Sequence, residues 1–234
     1  WGHDTLLPHQ EEAIRCVVEG RDSLVVLPTG GGKSLCFQAP ALRLPGLALV
    51  ISPLISLMQD QVDSLRECGV PAACLNSATP PDERRGIFSA LGSGRLKLLY
   101  ISPERLAMES FRAFLQGLEL AYIAIDEAHC ISMWGHDFRP EYRQLRRLKE
   151  DFPGLPVHAY TATATARVKE DIAGQLALRE PAVLTGSFFR PNLVYKVRRR
   201  SGGIDQFEEV LARHRGESGI IYCITRKETE RLAA

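Results

Sequence analysis

A glycine-rich segment near the N-terminus has the residue types that bind a phosphate chain. Residues 27–34 read LPTGGGKS and follow an apolar run at residues 23–26. Glycines carry no Cβ, so the backbone can wrap a phosphate with its N–H groups while Lys33 neutralises the β and γ phosphates. A helix is expected to begin near Lys33, and its N-terminal dipole also favours an anion. Leu27 stands where the strict G-x-x-x-x-G-K-S pattern has its first glycine, so the chain matches only the G-G-G-K-S part.

A carboxylate pair later in the chain complements this loop. Asp126 and Glu127 open a D-E-A-H tetrad that follows an apolar run at residues 121–125. The Asp126 carboxylate and the Ser34 hydroxyl are oxygen ligands that suit Mg²⁺, and Glu127 remains as a base for water. Alone, either motif could be an ordinary glycine turn or a charged strand end. Together, each after a strand-like run, they predict a nucleoside triphosphate site with Lys33, Asp126 and Glu127 as candidate catalytic residues and Ser34 and Asp126 as candidate Mg²⁺ ligands.

The composition fits a folded protein with one sizeable core and the start of another. The chain has 234 residues, of which 45% are hydrophobic. It contains no apolar run of about 18 residues, the length that a membrane-spanning helix needs. Its six cysteines are scattered without a C-x-x-C pair, which indicates reduced thiols in a cytosolic protein and no zinc site within this stretch.

Charge alone does not identify a partner. The formal net charge is +1, so the overall balance gives no argument for a nucleic-acid partner. Basic residues cluster at positions 139–149 and 196–200. A run of charges is often only a solvated face, so the cluster at residues 196–200 could be either such a face or a binding surface.

Apolar runs alternate with helical patterns along most of the chain. This alternation predicts an α/β fold with a parallel sheet sandwiched by helices. Ligands gather at the carboxyl ends of such strands, so residues directly after them should line one edge of the sheet. The predicted strands are residues 23–26, 47–51, 72–75, 96–101, 121–125 and 157–160, and the predicted helices are residues 8–19, 57–68, 82–91, 140–150 and 165–176. The residues expected at the edge are Lys33, Ser52, Ser102, Asp126 and Thr161.

A second α/β pattern starts after residues 181–186. Strand-like runs at residues 193–197 and 219–223 alternate with helical patterns at residues 205–214 and from Lys227 onward. We predict a first domain at residues 1–185 and the beginning of a second at residues 186–234. About 45 residues seldom form a stable unit alone, which indicates that the second domain is truncated.

Several motifs in order resemble those of the RecQ DNA helicases. The string D-E-A-H alone would also fit RNA helicases, but W-G-H-D-F-R-P soon after it is characteristic of RecQ proteins. The resemblance covers nearly the whole chain. It is carried by Gln10, residues 27–34 (LPTGGGKS, here called the glycine loop), 52–62 (SPLISLMQDQV), 126–129 (DEAH), 134–140 (WGHDFRP), 161–164 (TATA), 189–193 (FRPNL) and 219–223 (GIIYC).

The resemblance implies a fold, an activity and partners. The fold would be a RecA-like parallel sheet followed by the start of a second RecA-like lobe. The activity would be ATP-dependent, Mg²⁺-requiring unwinding of DNA in the 3′ to 5′ direction during repair and recombination. Single-stranded and partially duplex DNA would be the partners, with no membrane partner and a chromosome-associated, cytoplasmic location. The family's zinc site and the second-lobe arginines that complete hydrolysis would lie outside this chain, so the stretch alone should bind ATP but hydrolyse it slowly.

The resemblance also assigns roles to individual residues. Gln10 would read the adenine edge, while His129, Thr161 and Thr163 would link the ATP site to the DNA site. Residues 131–139, here called the aromatic loop, would couple DNA binding to hydrolysis by stacking Trp134 and Phe138 on bases. The nucleotide-binding set is Gln10, Thr29, Gly30, Gly31, Gly32, Lys33 and Ser34, and the DNA-binding and coupling set is Ser52, Ser102, Arg105, His129, Trp134, Phe138, Arg139, Thr161 and Thr163.

Simpler interpretations remain open for part of this set. The two serines could cap turns, the loop aromatics could anchor a core, and the threonines could be satisfied polar groups at a strand end. At the level of function, the alternative is a nucleotide-gated DNA-binding module without motor activity. A metabolite kinase with a phosphate loop would not account for residues 52–62 and 134–140.

Overall fold

A single parallel sheet of seven strands organises the first part of the chain. The computed structural model describes residues 1–2, 4–135, 137–187, 189, 192–199 and 205–233. The strands are β1 (Ser23–Val26), β2 (Leu47–Ile51), β3 (Ala72–Leu75), β4 (Leu98–Ile101), β5 (Leu120–Ile125), β6 (Val157–Thr161) and β7 (Ala182–Thr185). They lie in the order β3-β4-β2-β5-β6-β1-β7, and every pair is parallel.

The strands are apolar throughout because both faces of the sheet are covered. All five residues of β2 are buried. Leu47, Leu49 and Ile51 belong to one apolar cluster, whereas Ala48 and Val50 belong to another. Successive side chains of a strand point to opposite faces, so two separate cores lie on the two sides of the sheet. This arrangement confirms the predicted parallel sheet sandwiched by helices.

Helices connect the strands. Within the described residues they are α1 (Gln10–Val18), α2 (Lys33–Gln38), α3 (Ile55–Glu67), α4 (Pro81–Gly92), α5 (Pro103–Ala107), α6 (Glu109–Gln116), α7 (Leu148–Asp151), α8 (Ala166–Gln175), α9 (Asp205–Arg213) and α10 (Arg226–Ala233). Short 3₁₀ helices are found at Pro40–Leu42, Ala128–Ile131 and Pro140–Arg147. The sequence patterns did not predict α5 or α6.

The α-helix predicted over residues 140–150 is only partly correct. Pro140–Arg147 forms a 3₁₀ helix, and the α-helical part is limited to α7. Tyr142, Leu145 and Leu148 are buried and three residues apart. A 3₁₀ helix has 3.0 residues per turn, so this spacing places all three side chains on one face. The apolar spacing therefore suits the tighter helix.

The edge strand β7 was not predicted. It pairs with β1 through the register Ser23↔Ala182 to Val26↔Thr185. Val183 is 50% exposed, as expected at the border of a sheet where one side has no neighbouring strand. With four residues and partial exposure, this strand gives a weak apolar signal in sequence.

The chain divides into two compact units, Trp1–Phe189 and Arg190–Ala234. The second unit contains α9 and α10. Residues 193–197 and 219–223, which the sequence suggested as strands, form no strand among the described residues of this unit. A strand needs a partner for its backbone hydrogen bonds, and neither run has one there. Arg190 and Pro191, within the F-R-P-N-L string, lie outside the described residues.

None of the described helices has both the length and the apolar character that crossing a membrane requires.

Candidate nucleotide-binding and coupling site

The carboxyl ends of four strands meet along one edge of the sheet. Ile51 is in register with Ile101 on one side and with Ile125 on the other, and Ile125 is in register with Ala159. The residues that follow these strands therefore come together, as the sequence patterns led us to expect. They are Ser52, Ser102 and Asp126, and Thr161 is the last residue of β6.

The glycine loop leads from β1 into α2, whose first residue is Lys33. The Lys33 ammonium donates hydrogen bonds to Leu27 O at 3.1 Å and to Pro28 O at 3.4 Å. Its charge therefore lies on the inner side of the loop. Thr29 and Gly30 are exposed at the loop tip, and Ser34 is half-buried in the first turn of α2.

Leu27, the residue that departs from the strict phosphate-loop pattern, is part of the core. Its side chain is buried and its backbone N–H donates to Thr161 O at 3.1 Å. Gly186 approaches it closely, since a Cβ at that position would lie 2.7 Å from Leu27 Cδ2. The departure therefore lies in the part of the loop that packs into the core, before the exposed residues Thr29 and Gly30.

Gln10 is buried against the glycine loop. Its Nε2 donates to Gly32 O at 3.0 Å, and its Oε1 accepts from Leu7 N at 2.7 Å. Gly32 has a φ of 68°, and a Cβ there would collide with the Gln10 amide. The side chain thus touches the loop and has both amide ends engaged in the structure.

Asp126 and Glu127 form a carboxylate pair at the end of β5. Burial, together with the negative charge of Glu127, raises the pKa of Asp126 to about 6, while the positive charge of Lys33 acts in the opposite direction. The Glu127 N–H donates to Asp126 Oδ1 at 3.0 Å. Glu127 has a left-handed backbone with φ of 48°, which turns the chain sharply after the strand. A buried carboxylate with a second carboxylate beside it is a donor set that fits a divalent cation.

A hydrogen-bonded chain connects this pair to the end of β6. The Nδ1 atom of His129 lies 3.2 Å from Glu127 Oε2 and 2.9 Å from Thr161 Oγ1. The Thr161 hydroxyl in turn donates to Thr163 O at 3.2 Å. His129 and Thr161 are buried, whereas Thr163 is exposed. The three residues expected to link two sites therefore form a chain, in which Thr161 contacts both His129 and Thr163, and His129 contacts Glu127.

The aromatic loop is fastened to α8. The Ser132 hydroxyl donates to Asp171 Oδ2 at 2.6 Å, and the guanidinium carbon of Arg167 lies 3.3 Å from the Trp134 ring centroid. Trp134 is 58% exposed, so its other face is open to solvent. A large exposed aromatic ring on an anchored loop can stack on an unpaired base. This placement argues against a core role for Trp134.

The other end of the aromatic loop contacts the segment after β2. Arg139 donates to Pro53 O at 3.3 Å and to the Asp137 carboxylate at 3.1 Å. Phe138 is half-buried, with the Arg143 guanidinium 5.2 Å from its ring centroid. Arg139 thus ties the loop to the residue that follows Ser52.

Three metal-ligand types come together where the chain enters the aromatic loop. Ligand atoms of His129, Cys130 and Asp137 lie within 4.8 Å of one another. Burial raises the pKa of the Cys130 thiol to about 12, so it is protonated at neutral pH. It lies 3.8 Å from the same Asp137 oxygen that Arg139 binds. The contacts therefore form a hydrogen-bonded cluster that closes the loop.

Ser52 and Ser102 directly follow β2 and β4, as expected, and Arg105 lies in α5. Ser102 caps α5 by accepting from Arg105 N at 3.4 Å. The Arg105 guanidinium lies 5.0 Å from the Phe111 ring centroid. The Ser52 hydroxyl is buried and has no hydrogen-bond partner among the described residues.

The sequence patterns did not reveal a network of three polar residues, Gln38, Gln61 and Tyr100. Burial raises the pKa of Asp126, and the Gln61 side chain acts in the opposite direction. Gln38 and Tyr100 contact Gln61 from α2 and β4. The available signal was a tyrosine in an otherwise aliphatic strand and a glutamine at a buried helix position, both of which need polar partners.

Comparison with known proteins agrees with this geometry. A family model described as DEAD/DEAH box helicase matches residues 7–172. The chain belongs to the DEAD/DEAH box helicase family. Within this family it is similar to proteins named ATP-dependent DNA helicase RecQ, which confirms the resemblance stated from its motifs.

The similarity to these helicases extends over the whole chain. RecQ of Haemophilus influenzae is 47% identical over 233 residues, which are 100% of this chain and 38% of that protein. RecQ of Bacillus subtilis is 45% identical over 234 residues, covering 99% of this chain and 40% of that protein. The helicase SGS1 of Saccharomyces cerevisiae is 42% identical over 238 residues, covering 97% of this chain and 16% of that protein. The chain thus spans about two fifths of the length of the two bacterial relatives.

Solved helicase structures share the fold. The helicase MrfA bound to DNA superposes with a TM-score of 0.66 at 23% identity, covering 91% of this chain and 33% of that one. The Hef helicase domain of Pyrococcus furiosus superposes with a TM-score of 0.58 at 21% identity, covering 82% of this chain and 40% of that one. These likenesses confirm the RecA-like sheet.

Proposed function

We propose that this chain is the ATP-binding part of a RecQ-type DNA helicase. Such an enzyme would couple ATP hydrolysis to 3′ to 5′ movement on single-stranded DNA and to duplex unwinding in repair and recombination. The names of the relatives support this proposal. The observation that carries it is that the glycine loop follows β1 and the carboxylate pair follows β5 at the same edge of the sheet, with only β6 between these two strands.

The residues of the glycine loop would hold the triphosphate. Backbone N–H groups from Thr29 to Gly32 would face the phosphates, and Lys33 would exchange its two carbonyl contacts for phosphate oxygens. Ser34 and Asp126 would hold Mg²⁺, which when bound supplies positive charge to the β and γ phosphates. Glu127 would accept a proton from the attacking water. Gln10 would recognise the adenine edge, since an amide offers both a donor and an acceptor.

The coupling residues would transmit changes at the nucleotide site to the residues that bind DNA. His129 contacts both Glu127 and Thr161, so a shift of the Glu127 carboxylate would move this hydrogen-bonded chain. The exposed ring of Trp134 and the half-buried ring of Phe138 would stack on bases of single-stranded DNA. Ser52, Ser102 and Arg105 would contact the DNA backbone, and Arg139 would connect the two regions through Pro53.

Residues 1–185 would form the first RecA-like domain and residues 186–234 the beginning of the second. Arginines that the resemblance assigns to a second lobe would complete the charge stabilisation of hydrolysis. An arginine of this kind contributes about 10³ to 10⁵ in rate, so we expect slow hydrolysis by this chain alone. The protein would act on chromosomal DNA in the cytoplasm.

Nucleotide binding and steady-state hydrolysis, with and without single-stranded DNA, test the proposal. The variant Lys33→Ala should lose ATP binding, and both proteins should show little turnover. The matched control is Lys169→Ala, which removes an exposed positive charge on α8 that is not among the proposed phosphate-binding residues. It should bind ATP as the parent does. No ATP binding by the folded parent would contradict the proposal.

Joining the chain to the second RecA-like lobe of a relative separates the helicase from the alternative. DNA-stimulated hydrolysis and unwinding in the fusion would support motor activity. ATP-dependent DNA binding without hydrolysis in the fusion would favour a nucleotide-gated DNA-binding module.

A further inference from the structure

Ser132 begins the turn that carries Trp134, and its hydroxyl makes two hydrogen bonds. The side chain is buried, and its Oγ donates to Asp171 Oδ2 at 2.6 Å. The same Oγ accepts from the backbone N–H of Trp134 at 3.2 Å. An ionised carboxylate can only accept and an N–H can only donate, so the chemistry of the two partners fixes the direction of both bonds. A chain of hydrogen bonds therefore runs from Trp134 through Ser132 to Asp171.

The turn around Ser132 is closely packed. Ser132 O accepts from Gly135 N at 3.0 Å, and Ser132 N donates to His129 O at 3.1 Å. A Cβ at residue 135 would collide with His129 O, so the backbone has little freedom there. The direction in which the Trp134 side chain leaves the loop thus depends on the backbone position that Ser132 holds.

Asp171 is itself fixed on a helix that packs on the sheet. Its Oδ1 accepts from Gln175 Nε2 at 3.3 Å, so both carboxylate oxygens are engaged. The α8 residues Val168 and Ile172 are buried in the core on one side of the sheet. Hydrogen bonds to a charged acceptor are roughly twice as strong as those between neutral groups. Asp171 therefore offers the aromatic loop a fixed and strong acceptor.

The same face of α8 also contacts the ring of Trp134. Arg167 precedes Asp171 by four residues, a spacing that places both side chains on one face of the helix. Its guanidinium carbon lies 3.3 Å from the ring centroid, so Arg167 covers one side of the ring while the other side is open to solvent. Asp171 thus fixes the backbone of Trp134 and Arg167 fixes its ring, which leaves one side of the ring for a base to stack on.

The helix that holds Trp134 starts directly after the coupling threonines. The Thr165 hydroxyl caps α8 by accepting from Val168 N at 3.3 Å, and Thr163 lies two residues earlier. Helix α8 therefore connects the end of β6 with the aromatic loop. Asp171 lies outside the motifs that carry the resemblance to RecQ helicases.

We propose that Asp171 is a positioning residue, which acts through Ser132 to present the Trp134 ring to an unpaired base of single-stranded DNA. This inference rests on the proposed role of Trp134 in DNA binding. Without the carboxylate, the buried Ser132 hydroxyl loses its acceptor, and an unsatisfied buried donor favours a different arrangement of the turn. The Trp134 ring is then no longer held in the geometry that stacking needs, so the affinity for DNA falls.

The test is a titration of a fluorescently labelled oligothymidylate with the whole chain, followed by anisotropy. The variant Asp171→Ala should bind this DNA at least about fivefold more weakly than the parent, which is the lower end of the loss on removing a base-stacking aromatic. Both proteins should bind a fluorescent, non-hydrolysable ATP analogue equally well. The matched control is Glu170→Ala, which removes an exposed carboxylate from the same helix. It should bind DNA as the parent does.

A Trp134→Ala background separates positioning from a general loss of stability. In that background Asp171→Ala should cause no further loss of DNA affinity, because both residues act on the same contact. The variant Ser132→Ala should weaken DNA binding as Asp171→Ala does, and it decides the matter if Asp171→Ala fails to fold. Parent-like DNA binding by folded Asp171→Ala, or an equal further loss in the Trp134→Ala background, would overturn the inference alone. No DNA binding by a parent that binds the ATP analogue would overturn the proposed DNA-binding function and the inference together.

Discussion

The guanidinium carbon of Arg167 lies 3.3 Å from the centroid of the Trp134 ring, which joins the aromatic loop to α8. The chain has two tryptophans, so a Trp1→Phe background isolates the fluorescence of Trp134. In that background, Arg167→Ala should lower the anisotropy of Trp134, because the ring loses a cation–π contact of about 0.5–1 kcal/mol. Lys169→Ala, which removes a charge from the same helix, should leave the anisotropy unchanged. Equal anisotropy in Arg167→Ala and the parent would show that the contact does not hold the loop.

Gly32 should be less tolerant of a side chain than Gly30. Both have a left-handed backbone, with φ of 68° and 80°, so alanine should cost about 1–2 kcal/mol at either position. A Cβ at residue 32 would also collide with the Gln10 amide, whereas a Cβ at residue 30 would meet open space. We expect Gly32→Ala to reduce the preference for ATP over GTP and Gly30→Ala to keep it. Nucleotide competition assays measure that preference, and an unchanged ratio in Gly32→Ala would argue against base recognition by Gln10.

His158 should make the fold less stable in acid. It is buried on β6, 2.9 Å from Ser23 Oγ, and burial lowers its pKa to about 3. Between about pH 6.5 and pH 3 the unfolded chain binds a proton at this histidine that the native state does not, so stability falls as the pH is lowered through this window. The slope is up to about 1.4 kcal/mol per pH unit.

Urea unfolding at several pH values measures this contribution. The buried Asp126 acts in the opposite sense, since its pKa is raised to about 6 and its protonation favours the native state. The contribution of His158 is therefore obtained from the difference between the parent and His158→Gln. The variant should lose stability less steeply below about pH 6.5. Identical slopes would mean that His158 titrates alike in the native and unfolded chain.

Asp22 should be one of the most sensitive polar positions for stability. Its buried carboxylate accepts from Lys149 Nζ at 2.7 Å, from Val157 N at 2.8 Å and from Arg179 N at 2.8 Å. Removing one partner of a buried ion pair costs about 3–5 kcal/mol, so Asp22→Ala should lower the free energy of unfolding by about this amount.

The control for this prediction is Asp63→Ala. Asp63 is exposed and lies 3.9 Å from Arg66, so the change should cost less than about 1 kcal/mol. Denaturant unfolding of both variants gives the comparison. Equal losses would indicate that the Asp22 contacts contribute no more to the free energy of unfolding than a surface ion pair does.

The parts of the fold that depend on local pattern could be predicted from sequence. The central strands are apolar runs because helices cover both faces of the sheet, so β2, β3 and β5 were located to within one residue. The strand β7 was missed because one of its sides lies at the sheet border, where Val183 is half exposed. The segment Pro140–Arg147 was assigned the wrong helix type because three-residue apolar spacing occurs in both α and 3₁₀ helices.

In the candidate site, too, local motifs could be predicted from sequence, whereas contacts between distant residues could not. The glycine loop and the carboxylate pair carry their chemistry in adjacent residues, so sequence alone indicated them. By contrast, the hydrogen bonds that join Gln61 to Gln38 and Tyr100 connect residues 23 and 39 positions apart in the chain. Such contacts follow from how helices pack on the sheet, and no spacing rule reveals them.

The pairing of β7 with β1 has a mechanical consequence. The chain leaves β7 at Thr185, and Gly186 N donates to Val26 O at 2.9 Å, immediately before the glycine loop. Tension applied to the chain beyond residue 186 would act first on the backbone hydrogen bonds that pair β7 with β1. A force that arises further along the polypeptide is thus delivered first to the strand that supports the glycine loop.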